Sequence, residues 1–142
     1  MFKKILIANR GEIACRIIST CKRLGIETVA VHSEADIGSK HTKMADKSIL
    51  IGPADIKQSY LSMEAILNVA IENNVEAIHP GYGFLSENPE FASMVLENGL
   101  KFIGPKPGTI RLMGMKDQAK DMAVASEIPV IPGYHGNIQS HD

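Results

Sequence analysis

Five short, continuous apolar runs recur along the chain and set its fold class. Successive runs are separated by 17 residues or more, and a crossover between parallel strands needs a dozen or more residues. Continuous rather than alternating apolar runs are typical of strands that are covered on both faces. The pattern therefore predicts an α/β fold built on a doubly wound parallel sheet. The runs are residues 5–8, 29–31, 49–51, 77–78 and 102–103.

Size and charge narrow the range of partners. With 142 residues the chain suits one domain with a real core, and its 44% hydrophobic and 22% charged content is ordinary for a globular protein. Fifteen Lys and Arg against sixteen Asp and Glu give a net charge of −1, and no apolar stretch is long enough for a membrane span. We therefore expect neither a nucleic acid nor a membrane as partner.

A glycine-containing segment, residues 79–88 (HPGYGFLSEN), follows the fourth apolar run. Gly81 and Gly83 allow a sharp turn and a close approach of the backbone to a ligand, and Tyr82 adds a ring with a polar tip. Loops at the carboxyl ends of parallel strands are where open α/β sheets bind ligands. Ser86 is predicted to cap the next helix, with Glu87 in its first turn. From the residues alone, a ligand loop and a purely structural turn are equally supported.

Two further helices can be placed from the pattern. Apolar residues from Ile13 to Leu24 form one stripe, so this segment is expected to pack on the sheet. A second helix is predicted to begin with Ser62 as its N-cap. His32 and His41 have no convincing ligand partner in the sequence, and both are expected to be solvated loop residues.

The sequence lacks the usual short catalytic motifs. It has no phosphate-binding P-loop, no Cys-x-x-Cys, no His-Glu-x-x-His and no Gly-x-Ser-x-Gly. Cys15 and Cys21 point to different faces of a predicted helix, and two thiols without metal spacing suit the cytoplasm or, for a processed form, the mitochondrial matrix. The residues alone therefore predict a ligand-facing α/β domain and no particular reaction.

Three blocks, in the same order and spacing, closely resemble biotin carboxylases. Residues 5–17 resemble the opening of that family, and residues 79–88 look like its glycine loop. Residues 102–106, with 109–114 and Lys116 beyond them, look like its third block. The similarity runs from Met1 to about Gly133.

The resemblance implies a Rossmann-like domain that precedes an ATP-grasp fold, with the chain stopping before the ATP-grasp lid. Residues 1–128 would form that domain, and residues 129–142 would be an exit segment toward an ATP-grasp domain. The intact enzyme would be a ligase that carboxylates carrier-bound biotin with bicarbonate through carboxyphosphate. Its catalytic residues and metal-binding glutamates would lie downstream, so we expect no catalytic or metal-ligating residue here and no activity from these 142 residues alone.

Individual site residues follow from the same resemblance. Tyr82 and Gly83 match the loop that faces biotin, and Gly81 and Glu87 would border it. Lys116 matches a lysine associated with ATP phosphate, where an ammonium group supplies a compact charge. The family usually has an aspartate before this lysine, whereas this chain has Met115. Methionine cannot cap a helix, so we expect a cap worth about 0.5–2 kcal/mol to be missing there.

Family membership also implies the cofactors and partners of the intact enzyme. These are ATP with Mg²⁺, biotin as carrier-bound substrate, bicarbonate, a biotin carboxyl carrier, a carboxyltransferase component and a second copy in a homodimer. Two alternatives remain from the sequence. One is the N-terminal domain of another ATP-grasp ligase, of the carbamoyl phosphate or purine synthesis type, and the other is a stand-alone, non-catalytic binding module.

Overall fold

A computed structural model describes residues 1–115, which form an α/β domain. Its five-stranded sheet has the order β3-β2-β1-β4-β5, and every neighbouring pair is parallel. The strands are β1 (Lys4–Ile7), β2 (Glu27–Ser33), β3 (Lys47–Gly52), β4 (Ala77–His79) and β5 (Lys101–Phe102). The α-helices are α1 (Gly11–Arg23), α2 (Lys40–Met44), α3 (Met63–Glu72) and α4 (Pro89–Glu97). The predicted doubly wound parallel sheet is confirmed.

Strand β1 and the residue after it show why the apolar runs are continuous. Leu6 and Ala8 belong to one hydrophobic cluster, whereas Ile5 and Ile7 belong to another on the opposite face. All four are at most 4% exposed. Successive side chains of a strand point to opposite faces, so a strand covered on both sides favours apolar residues at successive positions.

The helices form a layer on each face of the sheet. Buried residues of α1 pack with the second cluster, together with Met44 of α2, whereas α3 and α4 supply buried residues to the first cluster. Ser62 caps α3 as predicted, since its side chain accepts a hydrogen bond from the Ala65 N–H at 3.2 Å. Leu24, however, is 51% exposed at the end of α1, so its predicted packing is wrong.

Both histidines differ from the expected solvated state. His32 lies half-buried within β2, and His41 lies in α2 with only 1% of its surface exposed. The Nε2 of His41 is 3.0 Å from the Val31 carbonyl oxygen, and its Nδ1 is 3.1 Å from the Ser39 hydroxyl. Because a carbonyl only accepts, Nε2 donates and Nδ1 accepts. Both ring nitrogens are thus satisfied, which offsets the cost of burial.

The third sequence block leads into a helical run over residues 107–115. Gly114 and Met115 both lie in that run. Met115 is 62% exposed within that run, and the helix start whose cap was predicted to be missing lies outside the described residues. Three further predictions lie outside the described residues: the role of Lys116, the domain boundary at residue 128 and the exit segment.

Candidate functional site

The centre of the sheet is a point where the strand order reverses. The chain leaves β1 toward β2 on one side, and it leaves β4 toward β5 on the other. The Ala8 N–H donates to the His79 carbonyl oxygen at 2.9 Å, so the two strands stay paired to their carboxyl ends. Open α/β sheets bind ligands in the crevice at such a switch point. Segment 79–88 begins at this place, and its first part, residues 79–84, is called the glycine loop from here on.

Two glycines determine the path of this loop. Gly81 and Gly83 have φ angles of +69° and +68°, a conformation that other residues adopt only with strain. A Cβ atom on Gly81 would also lie 2.7 Å from the Asn9 side-chain nitrogen, whereas a Cβ on Gly83 would meet nothing within 4 Å. Gly81 is therefore required for its conformation and for space, and Gly83 for its conformation alone.

Asn9, the second residue after β1, ties the glycine loop to the first sequence block. Its side chain is buried, and its Nδ2 donates to the carbonyl oxygens of Pro80 and Tyr82 at 2.7 and 2.6 Å. Its Oδ1 accepts a hydrogen bond from the Arg10 N–H at 2.8 Å. Two acceptors on one side and a donor on the other fix the orientation of the amide.

His79 supports the loop from within. Its Nδ1 accepts a hydrogen bond from the Gly81 N–H at 3.1 Å, which requires the neutral ring with its proton on Nε2. Burial lowers the pKa of His79 below its ordinary value, because a buried imidazolium loses hydration. The ring therefore remains an acceptor at neutral pH.

The outer surface of the loop is open to solvent. Tyr82 is 75% exposed, and Gly83 is exposed beside it. Such a ring can cover an apolar or planar ligand while its hydroxyl remains available for hydrogen bonding. The loop thus combines a fixed backbone with an accessible aromatic side chain.

The segment that ends the glycine loop and leads into α4 differs from the prediction. Phe84–Glu87 form a short 3₁₀ turn, and α4 begins only at Pro89. Its cap is Asn88, whose Oδ1 accepts a hydrogen bond from the Phe91 N–H at 3.0 Å. Ser86 is therefore not the cap, because the 3₁₀ turn moves the cap by two residues, from Ser86 to Asn88. Glu87 is exposed at the end of that turn.

Phe84, at the far end of the glycine loop, has an aromatic and a cationic neighbour. Its φ angle is +43°, which is unusual for a residue with a large side chain. Its ring stacks on Tyr60 with 5.0 Å between centroids, and the Arg10 guanidinium lies 5.8 Å from the Phe84 ring and 5.4 Å from the Tyr60 ring. The strained backbone is thus held by packing of its side chain.

Asp36 connects this aromatic pair to the end of β2. The Tyr60 hydroxyl donates to Asp36 Oδ2 at 2.6 Å, and the Arg10 guanidinium lies 3.3 Å from the same oxygen. The Ser33 N–H donates to the Tyr60 hydroxyl at 3.2 Å. The residues Arg10, Ser33, Asp36, Tyr60 and Phe84 are called the edge cluster below.

The pKa values in the edge cluster reflect this arrangement. Burial alone would raise the pKa of Asp36, but hydrogen bonds from Tyr60 and Arg10 and the charge of Arg10 outweigh burial and lower it. Burial, together with the hydrogen bond to the Asp36 carboxylate, raises the pKa of Tyr60. At neutral pH Asp36 is therefore a carboxylate and Tyr60 a neutral donor.

The structure gathers only some of the residues singled out from the sequence. Gly81, Tyr82 and Gly83 lie together at the switch point, Glu87 lies in the 3₁₀ turn beyond them, and Lys116 lies outside the described residues. Sequence reasoning missed Asn9 and the edge cluster. Their common signal was present, because they include polar residues that directly follow buried strands. Those residues are Asn9, Arg10 and Asp36, each within three residues of the end of a strand.

Two kinds of feature are absent from the described part of the chain. Within residues 1–115, no group of three or more His, Cys, Asp or Glu is placed to share a metal ion. In the same range no helix has the length and apolar character needed to cross a membrane.

Comparison with known proteins places the chain in a family. The family model described as "Biotin carboxylase, N-terminal domain" matches residues 1–110, which include β1, the glycine loop and the edge cluster. The chain belongs to the biotin carboxylase N-terminal domain family. Its five-stranded sheet and glycine loop are therefore those of a biotin carboxylase N-terminal domain.

Individual relatives agree with the family. Biotin carboxylase of Allochromatium vinosum is 55% identical over 141 residues, covering 99% of this chain and 31% of that protein. The mitochondrial methylcrotonoyl-CoA carboxylase subunit alpha of Rattus norvegicus is 55% identical over 139 residues, covering 98% of this chain and 19% of that protein. The chain therefore spans between about a fifth and a third of the length of these two relatives.

A solved structure has the same fold. It is the biotin carboxylase domain dimer of Hydrogenobacter thermophilus 2-oxoglutarate carboxylase, in complex with MgADP, ADP and bicarbonate. It matches with a TM-score of 0.80 and 49% identity, covering 94% of this chain and 29% of that one. The biotin carboxylase N-terminal domain of this chain thus corresponds to somewhat less than a third of that domain.

Proposed function

We propose that this chain forms the N-terminal part of an ATP-dependent biotin carboxylase. The intact enzyme carboxylates the ureido nitrogen of carrier-bound biotin with bicarbonate, which ATP activates as carboxyphosphate. The observation that carries this proposal is the family match over residues 1–110, which includes the glycine loop at the switch point. The nucleotides and bicarbonate named for the Hydrogenobacter thermophilus domain support the same substrates.

The glycine loop supplies the surface that faces biotin. Tyr82 is the exposed ring that contacts it, and Gly83 allows the ligand to approach the backbone because no side chain intervenes. Gly81 shapes the loop from its inner side, and Glu87 borders the site from the 3₁₀ turn. These residues bind and orient the substrate, and they carry out no bond-making step.

Lys116 contacts the ATP phosphates, where its charge offsets that of the nucleotide. Family membership implies that carboxylates outside residues 1–115 would hold Mg²⁺. When bound, the metal neutralises phosphate charge during phosphoryl transfer. The contribution of this domain is therefore to hold one substrate and to support the binding of the other.

The intact protein works with further components. A biotin carboxyl carrier domain or protein presents biotin to the glycine loop, and a carboxyltransferase component passes the carboxyl group to the final acceptor. The two-copy assembly named for the Hydrogenobacter thermophilus domain supports a homodimer.

The test is biotin-dependent ATP hydrolysis by the full-length protein in the presence of bicarbonate. We expect Tyr82→Ala to raise the KM for biotin and Lys116→Ala to raise the KM for ATP. Lys101→Ala is the matched control, because Lys101 is an exposed lysine at the amino end of β5. Wild-type protein without biotin-dependent ATP hydrolysis would refute the function. An unchanged affinity for ATP in Lys116→Ala would refute the role of that lysine.

A further inference from the structure

We infer that Asn9 is a positioning residue for biotin, and that it acts by holding the backbone of the glycine loop. This inference rests on the proposed function, since it assigns a means by which the biotin-facing loop keeps its shape. Among the described residues, the Asn9 side chain donates to backbone carbonyls of the loop and not to the Tyr82 hydroxyl. Its hydrogen bonds go to the backbone on the inner side.

The two hydrogen bonds of Asn9 fix the residue that presents Tyr82. One ends at the Pro80 carbonyl and the other at the Tyr82 carbonyl, so the same amide group holds the residues on both sides of Gly81. With the Tyr82 carbonyl directed inward to Asn9, the Tyr82 ring is left 75% exposed on the outside. The orientation of the ring therefore depends on a side chain that precedes it by 73 residues.

The fit between Asn9 and Gly81 explains why an asparagine serves here. An unbranched amide can donate two hydrogen bonds and accept a third, which matches the three partners observed. Aspartate has the same shape but donates nothing, and alanine removes all three bonds. The missing Cβ of Gly81 provides the space that the amide occupies, since a Cβ there would approach Asn9 Nδ2 to 2.7 Å.

Arg10 stabilises the far end of the loop. Its guanidinium lies over the Phe84 ring and pairs with Asp36, so it braces the residue whose φ angle is +43°. Adjacent residues of the β1–α1 turn thus hold the loop at both ends. The first sequence block and the glycine loop consequently act as one structural unit.

The test uses the full-length protein with Asn9→Ala and Asn9→Asp. The matched control is Asn73→Ala, because the Asn73 amide also donates to a backbone carbonyl, that of Val69 at 2.8 Å, at the opposite edge of the sheet. Two readouts are needed. The first is hydrogen–deuterium exchange of a peptide covering the glycine loop, and the second is steady-state kinetics with biotin and ATP varied separately.

We expect both Asn9 variants to speed exchange in the loop and to lower kcat/KM for biotin by about 10- to 100-fold, the range that a small misplacement produces. The KM for ATP should stay within about twofold. Combining Asn9→Asp with Tyr82→Ala should give less than the product of the single effects, because both act through the same ring. Asn73→Ala should change neither readout.

Three results would decide against the inference. In a folded Asn9 variant, loop exchange and kcat/KM for biotin equal to those of wild type would refute it. A loss of melting temperature with full kcat/KM per folded enzyme would assign Asn9 a structural role only. If Asn9→Ala does not fold, Gly81→Ala, which displaces the amide without removing it, must lower kcat/KM for biotin or the inference fails. Wild-type protein inactive toward biotin would instead refute the proposed function, and exchange would still report whether Asn9 holds the loop.

Discussion

The central sheet has an amino edge, where its parallel strands begin, and a carboxyl edge, where they end. The two edges use polar side chains in different ways. At the amino edge, the Lys4 ammonium lies 3.7 Å from Glu27 and donates to the Asn73 carbonyl, with Glu27 52% exposed. At the carboxyl edge, Asn9 and Tyr60 are buried and each makes two or more hydrogen bonds. Exposed ion pairs contribute little to stability, whereas a buried polar group that loses its partner costs much more.

This difference separates support of the fold from support of the site. At the amino edge, water can replace the exposed contact between Lys4 and Glu27. The carboxyl edge holds a loop with two positive-φ glycines and a strained Phe84, so its contacts must stay fixed. Substitutions at the carboxyl edge should therefore have the larger effects.

The largest effect is expected from Gly81→Ala. A residue with a side chain at a positive φ angle costs about 1–2 kcal/mol, and overlap with Asn9 adds about 1–3 kcal/mol. Gly83→Ala is the matched comparison, because its φ angle is nearly the same but its Cβ would have open space. Urea unfolding followed by circular dichroism measures both. Equal losses of unfolding free energy in the two variants would show that overlap between the added methyl group and Asn9 has no measurable cost.

A smaller loss is expected from Tyr60→Phe. The substitution keeps the ring stacked on Phe84 but removes the hydroxyl, leaving the buried Ser33 N–H without that acceptor and Asp36 without a donor. Such a change costs about 1–3 kcal/mol. Glu27→Gln at the amino edge should cost less than about 1 kcal/mol. A larger loss of unfolding free energy in Glu27→Gln than in Tyr60→Phe, measured by urea unfolding, would contradict the difference between the two edges.

The smallest effect is a pH dependence that involves His79. Burial lowers its pKa in the folded state below the value of 6.5 in the unfolded chain. The unfolded state therefore binds the proton more readily, so His79 contributes full stability above pH 6.5 and loses it as the pH falls through that value toward the folded pKa. His79→Asn does not titrate, and it places an acceptor near the position of Nδ1.

We expect unfolding free energies of wild type and His79→Asn to diverge in their pH dependence between pH 8 and pH 5. The wild type should lose stability more steeply toward low pH. Both proteins contain the other histidines, so the contributions of those histidines to the pH dependence cancel in the comparison. Parallel pH profiles would mean that the hydrogen bond from Gly81 to His79 does not depend on a neutral ring.

The sequence was most informative where one local rule decides the structure. The buried strand β1, the Ser62 cap and the α/β class follow from apolar pattern and short-range hydrogen bonding. The position of the glycine loop follows as well, since it comes directly after a buried strand. These features need no knowledge of distant contacts.

The features that were missed depend on residues far apart in sequence. The Asn9 amide meets carbonyls more than 70 residues later, and Tyr60 meets Asp36 across 24 residues. Neither pairing has a periodicity or spacing that could be read in advance. His41 was misjudged for the same reason, because the Val31 carbonyl that accepts its proton lies on a neighbouring strand. Asn88 displaced Ser86 as a cap because an extra 3₁₀ turn preceded the helix.

The most direct test of the central claim is a crystal structure of the full-length protein with biotin and bicarbonate. We expect the ureido ring of biotin to lie at the carboxyl edge of the sheet, in contact with Tyr82 and the backbone of Gly83. The hydrogen bonds from Asn9 to the Pro80 and Tyr82 carbonyls should be intact in that complex. Biotin bound away from the glycine loop, or a loop rearranged with Asn9 turned away from it, would contradict the account.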